Sequence, residues 1–152
     1  IKQTTIGADG IAALREKPLT KQFKGVITTS YQTPLKKWQF DLTAQFNGGG
    51  RMPDGLNTYW LASSAAHQFY EAPDGSLRYK WYPQLMAQIT KYFRTCSIYL
   101  GAENMTNFKQ ESPIVAATEP FGPDFDASMA WGPISGWKIY LGFRYDLERP
   151  EE

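Results

Sequence analysis

The chain has 152 residues, enough for one domain with a sizeable core. Its 16 basic and 15 acidic residues leave a net charge of +1, which removes any bulk argument for nucleic acid as a partner. The single cysteine, Cys96, excludes an intrachain disulfide, and the longest wholly apolar run is about four residues, far short of the roughly 20 of a membrane helix.

A barrel strand escapes that last exclusion, because its alternating residues average out in any hydropathy window. The chain opens without an initiator Met or a signal peptide, as expected of a processed segment or of a piece of something longer.

Residues 1–22 show no alternation. Asp9 is placed to cap a short helix through Ile11 to Arg15, ended by Lys17-Pro18, inside a long loop. From residue 24 to 32 the chain is β-branched and reads as a strand of ambiguous facing. A tight connection at 33–36 leads into the cleanest alternation in the sequence. Trp38, Phe40, Leu42, Ala44 and Phe46 share one face, and Gln39, Asp41, Thr43 and Gln45 the other.

Residues 51–79 then read as long, polar and irregular, with turn signals at Met52-Pro53-Asp54-Gly55 and Ala72-Pro73-Asp74-Gly75. Leu61 to Ala66 reads as a helical turn or as disorder. The third strand, Tyr82 to Phe93, places Leu85, Ala87 and Ile89 on one face together with Lys91, which near a strand end can snorkel to an interface. A two-residue turn, Arg94-Thr95, starts a fourth strand with Cys96, Ile98, Leu100 and Ala102 on its apolar face. A second long loop, Phe108 to Ser135, contains four prolines. The last strand, Trp137 to Leu147, alternates over eleven residues, and residues 148–152 form a polar tail.

The connections run tight, long, tight, long, so both tight turns fall at one rim of an up-and-down antiparallel sheet. Outer-membrane barrels have that asymmetry. Strands of about 9–11 residues also match a tilted crossing of a bilayer. Phe46, Trp81, Tyr82 and Trp137 are then expected at the outer rim, and Trp38, Tyr92, Phe93 and Tyr145 at the inner rim. Five strands with an apolar outer face do not close a barrel, so further strands are required.

Gly101-Ala102-Glu103-Asn104-Met105-Thr106-Asn107 resembles the G-x-E-N-x-T-N signature of TonB-dependent outer-membrane receptors. Gly142-Phe143-Arg144-Tyr145 resembles the G-F-R-Y of their last strand. Residues 36–40, 46–51, 89–93 and the loop Phe121-Gly122-Pro123 to Trp131-Gly132-Pro133 look similar to receptors of this family from Bacteroidetes-type bacteria, and the likeness spans roughly 22–147. The resemblance implies an all-β antiparallel transmembrane barrel of about 22 strands around a plug domain, of which residues 1–147 supply about five strands. It implies import of a scarce nutrient (iron chelate, haem, metal complex or oligosaccharide) across the bacterial outer membrane. The partners implied are membrane lipid, the remaining barrel and plug, the TonB complex and the nutrient ligand, with no catalytic residue and no cofactor. Two departures stand beside it. The plug and the TonB-binding segment are not in this sequence, and the end is Asp146-Leu147 followed by the tail rather than a terminal aromatic residue.

Arg51, Asp54, Tyr59, Trp60, His67, Tyr70, Asp124, Asp126 and Trp131 are the loop candidates for substrate contact. His67, in one long loop with Met52, Asp54 and Tyr70, is a candidate to touch a metal or chelate, against the reading of a solvated loop histidine. Asp124, Asp126 and Glu119 offer oxygen ligands without the regular spacing of a calcium loop. Ser63 and Ser64 lie close to His67, as a hydrolase would need, but nothing marks an oxyanion hole. Tyr59, Trp60, Tyr70 and Trp131 are candidates to stack on a sugar or aromatic chelate. Asp41, Glu103, Lys138 and Arg144 read as lumen-facing, pairing across strands or with a plug. The alternative from another class is a secreted or surface β-sheet carbohydrate-binding module. It differs in burying Trp38, Leu42, Leu85, Ile98 and Leu141 in a core of its own.

Overall fold

The computed structural model describes residues 2–6, 12–55 and 57–146. In chain order the elements are β1 (Lys2–Ile6), β2 (Ala12–Glu16), β3 (Lys24–Gln32), β4 (Trp38–Asn47), β5 (Gly50–Arg51) and α1 (Asn57–Ala62). A 3₁₀ helix (Ser64–Gln68) follows, then β6 (Phe69–Glu71), β7 (Leu77–Tyr79), β8 (Tyr82–Tyr92), β9 (Cys96–Glu103) and β10 (Lys138–Tyr145). The fold is all-β with antiparallel sheets, and no helix among the described residues is long and apolar enough to cross a membrane.

The chain divides into two compact units and passes between them repeatedly. One comprises Gly25–Phe46, Pro83–Phe108 and Gly136–Glu152, and the other Ile1–Lys24, Asn47–Tyr82 and Lys109–Ser135.

The first of these units carries a five-stranded open sheet in the order β10-β9-β8-β4-β3. It contains the five strands expected from the sequence, four from alternation and β3 from its β-branched residues, within a few residues at each end. The register Ile89↔Leu100 and Leu100↔Leu141 puts the apolar residues of β8, β9 and β10 in rows on one face. Thr28 lies 3.3 Å from Thr43, and Ser30 Oγ donates to Asp41 Oδ1 at 2.5 Å. These contacts settle the facing of β3: Val26, Thr28 and Ser30 share the polar side, and Ile27, Thr29 and Tyr31 the apolar side. The tight turn after β3 closes with Thr33 N donating to the Trp38 carbonyl, and the next with Phe93 N donating to the Cys96 carbonyl.

Among the described residues, the apolar face of this sheet is exposed. Leu141 is 74% exposed, Ile139 and Phe143 are each 63% exposed, and Trp38, Leu42 and Ile98 are also exposed. Lys91, on this face, holds its ammonium 4.3 Å from the centroid of the Trp38 ring, so its charge meets a π-face at the strand end.

The second unit has a closed aromatic core. Trp60 and Tyr79 are fully buried, and Met52, Leu77, Phe69, Tyr82 and Trp131 are almost so. Tyr79 stacks on Trp131 with centroids 4.5 Å apart, while Phe69 and Tyr82 each meet the same indole at 5.8 Å. A three-stranded sheet, β5-β7-β6, frames this core.

Three expectations are corrected here. Residues 51–79, read as irregular, hold β5, α1, the 3₁₀ helix, β6 and β7; three short strands of two or three residues carry no alternation to read. Residues 12–15, read as helix, form β2 in an antiparallel hairpin with β1, because backbone pairing with Lys2–Ile6 outweighs the helix propensity of Ala and Leu. The proposed cap at Asp9 lies outside the described residues, as do 147–152. Tyr82, placed at a membrane rim, is instead core, and Tyr92 is on the polar face, where its hydroxyl donates to Gln39 Oε1 at 2.9 Å.

Candidate functional site

The two family-like segments meet in the sheet through glycine. Gln88, Gly101 and Tyr140 lie in one row across β8, β9 and β10, and Thr90, Tyr99 and Gly142 in the next. A Cβ on Gly101 would run into the Tyr140 ring, and one on Gly142 into the Tyr99 ring. Each glycine therefore opens a slot for the tyrosine directly opposite. Tyr140 uses its slot to cross β9 and donate to Gln88 Oε1 at 3.0 Å. The polar face continues with Gln88 to Thr90 at 3.1 Å and Gln45 to Gln84 at 3.2 Å. Glu103 stands opposite Lys138 in register, Asp41 is held by Ser30 and Gln39, and Arg144 stands opposite Ser97. Phe143 and Tyr145 point to the opposite, apolar face.

At the end of β9 the remaining motif residues build a clip. Asn104 and Asn107 have φ of +48° and +52°, a left-handed conformation that asparagine tolerates better than most residues. Asn104 Nδ2 donates to the Phe108 carbonyl at 2.7 Å, and Asn107 Oδ1 accepts from Trp137 N at 3.2 Å. Thr106 Oγ1 lies 2.9 Å from the Pro83 carbonyl. The clip ties the ends of β8, β9 and β10 together. Its role is positional.

The loop candidates do not converge on one point. Arg51 and Asp54 come together, with Nη2 at 2.6 Å from both carboxylate oxygens, and Arg15 approaches Asp54 at 3.7 Å. Tyr59 packs edge-on against Trp60 and donates to the Ile114 carbonyl at 3.2 Å. Trp60 and Trp131, expected to offer stacking surfaces, are core residues whose faces are spent on Phe69, Tyr79 and Tyr82. Tyr70 is the exception: it is exposed and lines a hollow of about 410 Å³ with Phe23 and Trp81.

His67 Nδ1 is 3.0 Å from the Ser64 carbonyl oxygen, not from a serine hydroxyl, and its Nε2 is 3.9 Å from Glu111. Met52 is buried away from solvent as core. Ser63 Oγ donates to the Trp60 carbonyl and accepts from Ala65 N, so it serves as the cap of the 3₁₀ helix. The Ser128 side chain, and after it Ser128 N donating to Asp126 Oδ1 at 2.7 Å, hold the Asp126 carboxyl below the usual carboxylate range. Asp124 is exposed. Among the described residues, no three His, Cys, Asp or Glu side chains gather into a metal-binding group.

Several organising residues carry no signal in the sequence. Gln110 is buried, with Nε2 on the Met129 carbonyl at 2.8 Å and Oε1 accepting from Trp131 N and Gly132 N. Gln68 does the same for the backbone at Lys109 and Glu111. Arg78 ion-pairs with Glu16 of β2 at 2.8 Å. Glutamine is usually a surface residue, and only the surplus of tryptophans outside the strands hints at a second core.

No family model, curated protein or solved structure matches the chain. The arrangement therefore speaks through its own geometry, which offers an apolar face, a polar face and a structured loop unit.

Proposed function

We propose that this chain is the C-terminal wall segment of a TonB-dependent receptor in the bacterial outer membrane. Its five strands form part of a transmembrane barrel of about 22 strands. The observation that carries the reading is the one-sided sheet. Its strands have 8 to 11 residues, its apolar rows are solvent-exposed, and its polar rows are cross-linked by hydrogen bonds. In water each exposed leucine, isoleucine or phenylalanine forgoes part of the roughly 1.5–3 kcal/mol that burial of such a side chain contributes. In a bilayer the same rows are solvated by lipid, and the backbone of the edge strands β3 and β10 pairs with the rest of the barrel.

Three further observations support it. Tight turns join β3 to β4 and β8 to β9, whereas the connections at the other strand ends are long. Lys91 sits over Trp38 as a snorkelling lysine does at an interface. The glycine slots and the asparagine clip give the family-like residues a structural purpose in adjacent strands. In this reading the segment supplies barrel wall, outer loops and the closing strand. The whole receptor, with its plug and the TonB complex, imports an iron chelate, haem, another metal complex or an oligosaccharide. Trp38, Leu42, Ile98 and Leu141 are exposed and Leu85 is half-buried, which favours this over a soluble carbohydrate-binding module that would bury all five.

The test is the native mass of the protein extracted from membranes. The expected result is extraction only with detergent, within a polypeptide assembly several times 17.3 kDa. A monodisperse 17.3 kDa species in plain buffer overturns the reading and favours the binding module.

A further inference from the structure

The pairing of β5 with β7 sets Arg51 directly opposite Arg78. Like charges facing each other across two strands repel. Here both are also nearly out of water, with side chains 9% and 14% exposed. Three carboxylates hold the pair in place. Asp54 takes Arg51 with both oxygens at 2.6 Å, Glu16 takes Arg78 at 2.8 Å, and Asp74 stands 4.0 Å from Arg78.

These groups line a cavity of about 400 Å³ between the β1–β2 hairpin and the three-stranded sheet, together with Lys2 and Arg15. The lining carries four cations (Lys2, Arg15, Arg51, Arg78) against three carboxylates (Glu16, Asp54, Asp74), one positive charge in excess. The excess sits on the hairpin side. Arg15 reaches Asp54 only at 3.7 Å while its side chain is 47% exposed, and Lys2 forms no ion pair among the described residues. Glu16, which neutralises Arg78, also belongs to the hairpin and not to the sheet that holds the arginines.

We propose that this cavity is a binding site for a small polyanion, a phosphate or a polycarboxylate. Arg78 and Arg51 receive it from the sheet, Arg15 and Lys2 close on it from the hairpin, and Glu16 is the built-in carboxylate that it displaces. The guanidinium fork matches the paired oxygens of a carboxylate or phosphate, and such contacts are strongest where water is excluded. A monoanion would merely exchange with Glu16. A ligand with two or more charges gains more, because its second charge meets Arg15 and Lys2. The inference does not rest on the membrane reading and holds wherever the protein resides.

The test is calorimetric titration of the purified full chain, in detergent where needed, with inorganic phosphate and with citrate at constant ionic strength. Saturable one-to-one binding of either is expected, and which of the two binds names the ligand class. Glu16→Gln removes the competing carboxylate and should tighten binding about tenfold, whereas Arg15→Ala and Lys2→Ala should each weaken it by about five- to tenfold. Arg15 and Lys2 are exposed, so their removal leaves the fold intact. No saturable binding of either anion overturns the proposal. So does binding indifferent to all three substitutions, or weakened by Glu16→Gln, since the cluster would then be an internal ion-pair network only.

Discussion

Tyr79 lies at the centre of the loop core, its ring stacked on Trp131 and its hydroxyl packed against Gly50, where a Cβ would strike it. Burial, with Tyr82 nearby, pushes its phenol up to about 12. The unfolded chain releases that proton near 10, so the folded state favours the neutral form. The stability this contributes is complete below pH 10 and is lost as the pH rises from 10 towards 12. Tyr79→Phe should therefore flatten the alkaline fall in unfolding midpoint, followed by tryptophan fluorescence between pH 9 and 12. Because the hydroxyl finds no hydrogen-bond partner among the described residues, the same variant should match or exceed the wild type at neutral pH, within about 1 kcal/mol. A second test at this scale concerns the sheet. Gly101→Ala drives a methyl group into the Tyr140 ring and should cost about 1–3 kcal/mol of stability in denaturant titration. Adding Tyr140→Ala should restore part of that loss. If the two costs simply add, the slot is not what the glycine provides.

At the scale of elements, the segment from Lys109 to Ser135 has almost no secondary structure yet is firmly placed, because Gln110 supplies the bonds a strand neighbour would. Gln110→Leu keeps the bulk but leaves Trp131 N, Gly132 N and the Met129 carbonyl without that partner. Each buried polar group left unpaired costs about 1–3 kcal/mol. The variant should lose about 3 kcal/mol or more, and amide exchange at 129–132 should rise before that of β8 and β9. Four of the five long strands are legible because period-two alternation is a local pattern, complete within each strand, and β3 is legible as a strand from its β-branched residues. Facing in β3 was not, since Val26, Thr28 and Ser30 differ little in polarity from Ile27, Thr29 and Tyr31; only cross-strand partners at Thr43 and Asp41 decide it. The β1–β2 hairpin was misread for a related reason: its state depends on a partner strand about ten residues away, whereas helix propensity is visible within a single turn.

Across the whole molecule, legibility follows sequence separation. Two of the four strand pairings in the sheet, β3 with β4 and β8 with β9, are tight hairpins legible from turn length, whereas β4 meets β8 and β9 meets β10 across long connections. The loop core joins Tyr59 to Ile114 and Tyr82 to Trp131, partners 55 and 49 residues apart. Nothing local marks Trp60 and Trp131 as buried, and their aromatic character read more naturally as ligand surface. Tyr70, a stacking candidate on the same ground, is exposed, and its neighbours Phe23 and Trp81 come from other segments. The charged cavity is similarly non-local: Glu16 and Arg78 look like ordinary surface residues until the hairpin brings them within 2.8 Å.

The interleaving of the two units has a kinetic consequence. β3 with β4, and β8 with β9, can zip as soon as each pair has been made, because a few residues close each turn. The loop core must wait for Trp131, which three other rings contact and which precedes the first residue of β10 by only seven positions (138 − 131). Closing such long loops costs entropy before any contact repays it, which slows folding. Until Trp131 has been made, Trp60, Phe69, Tyr79 and Tyr82 have no complete core to enter.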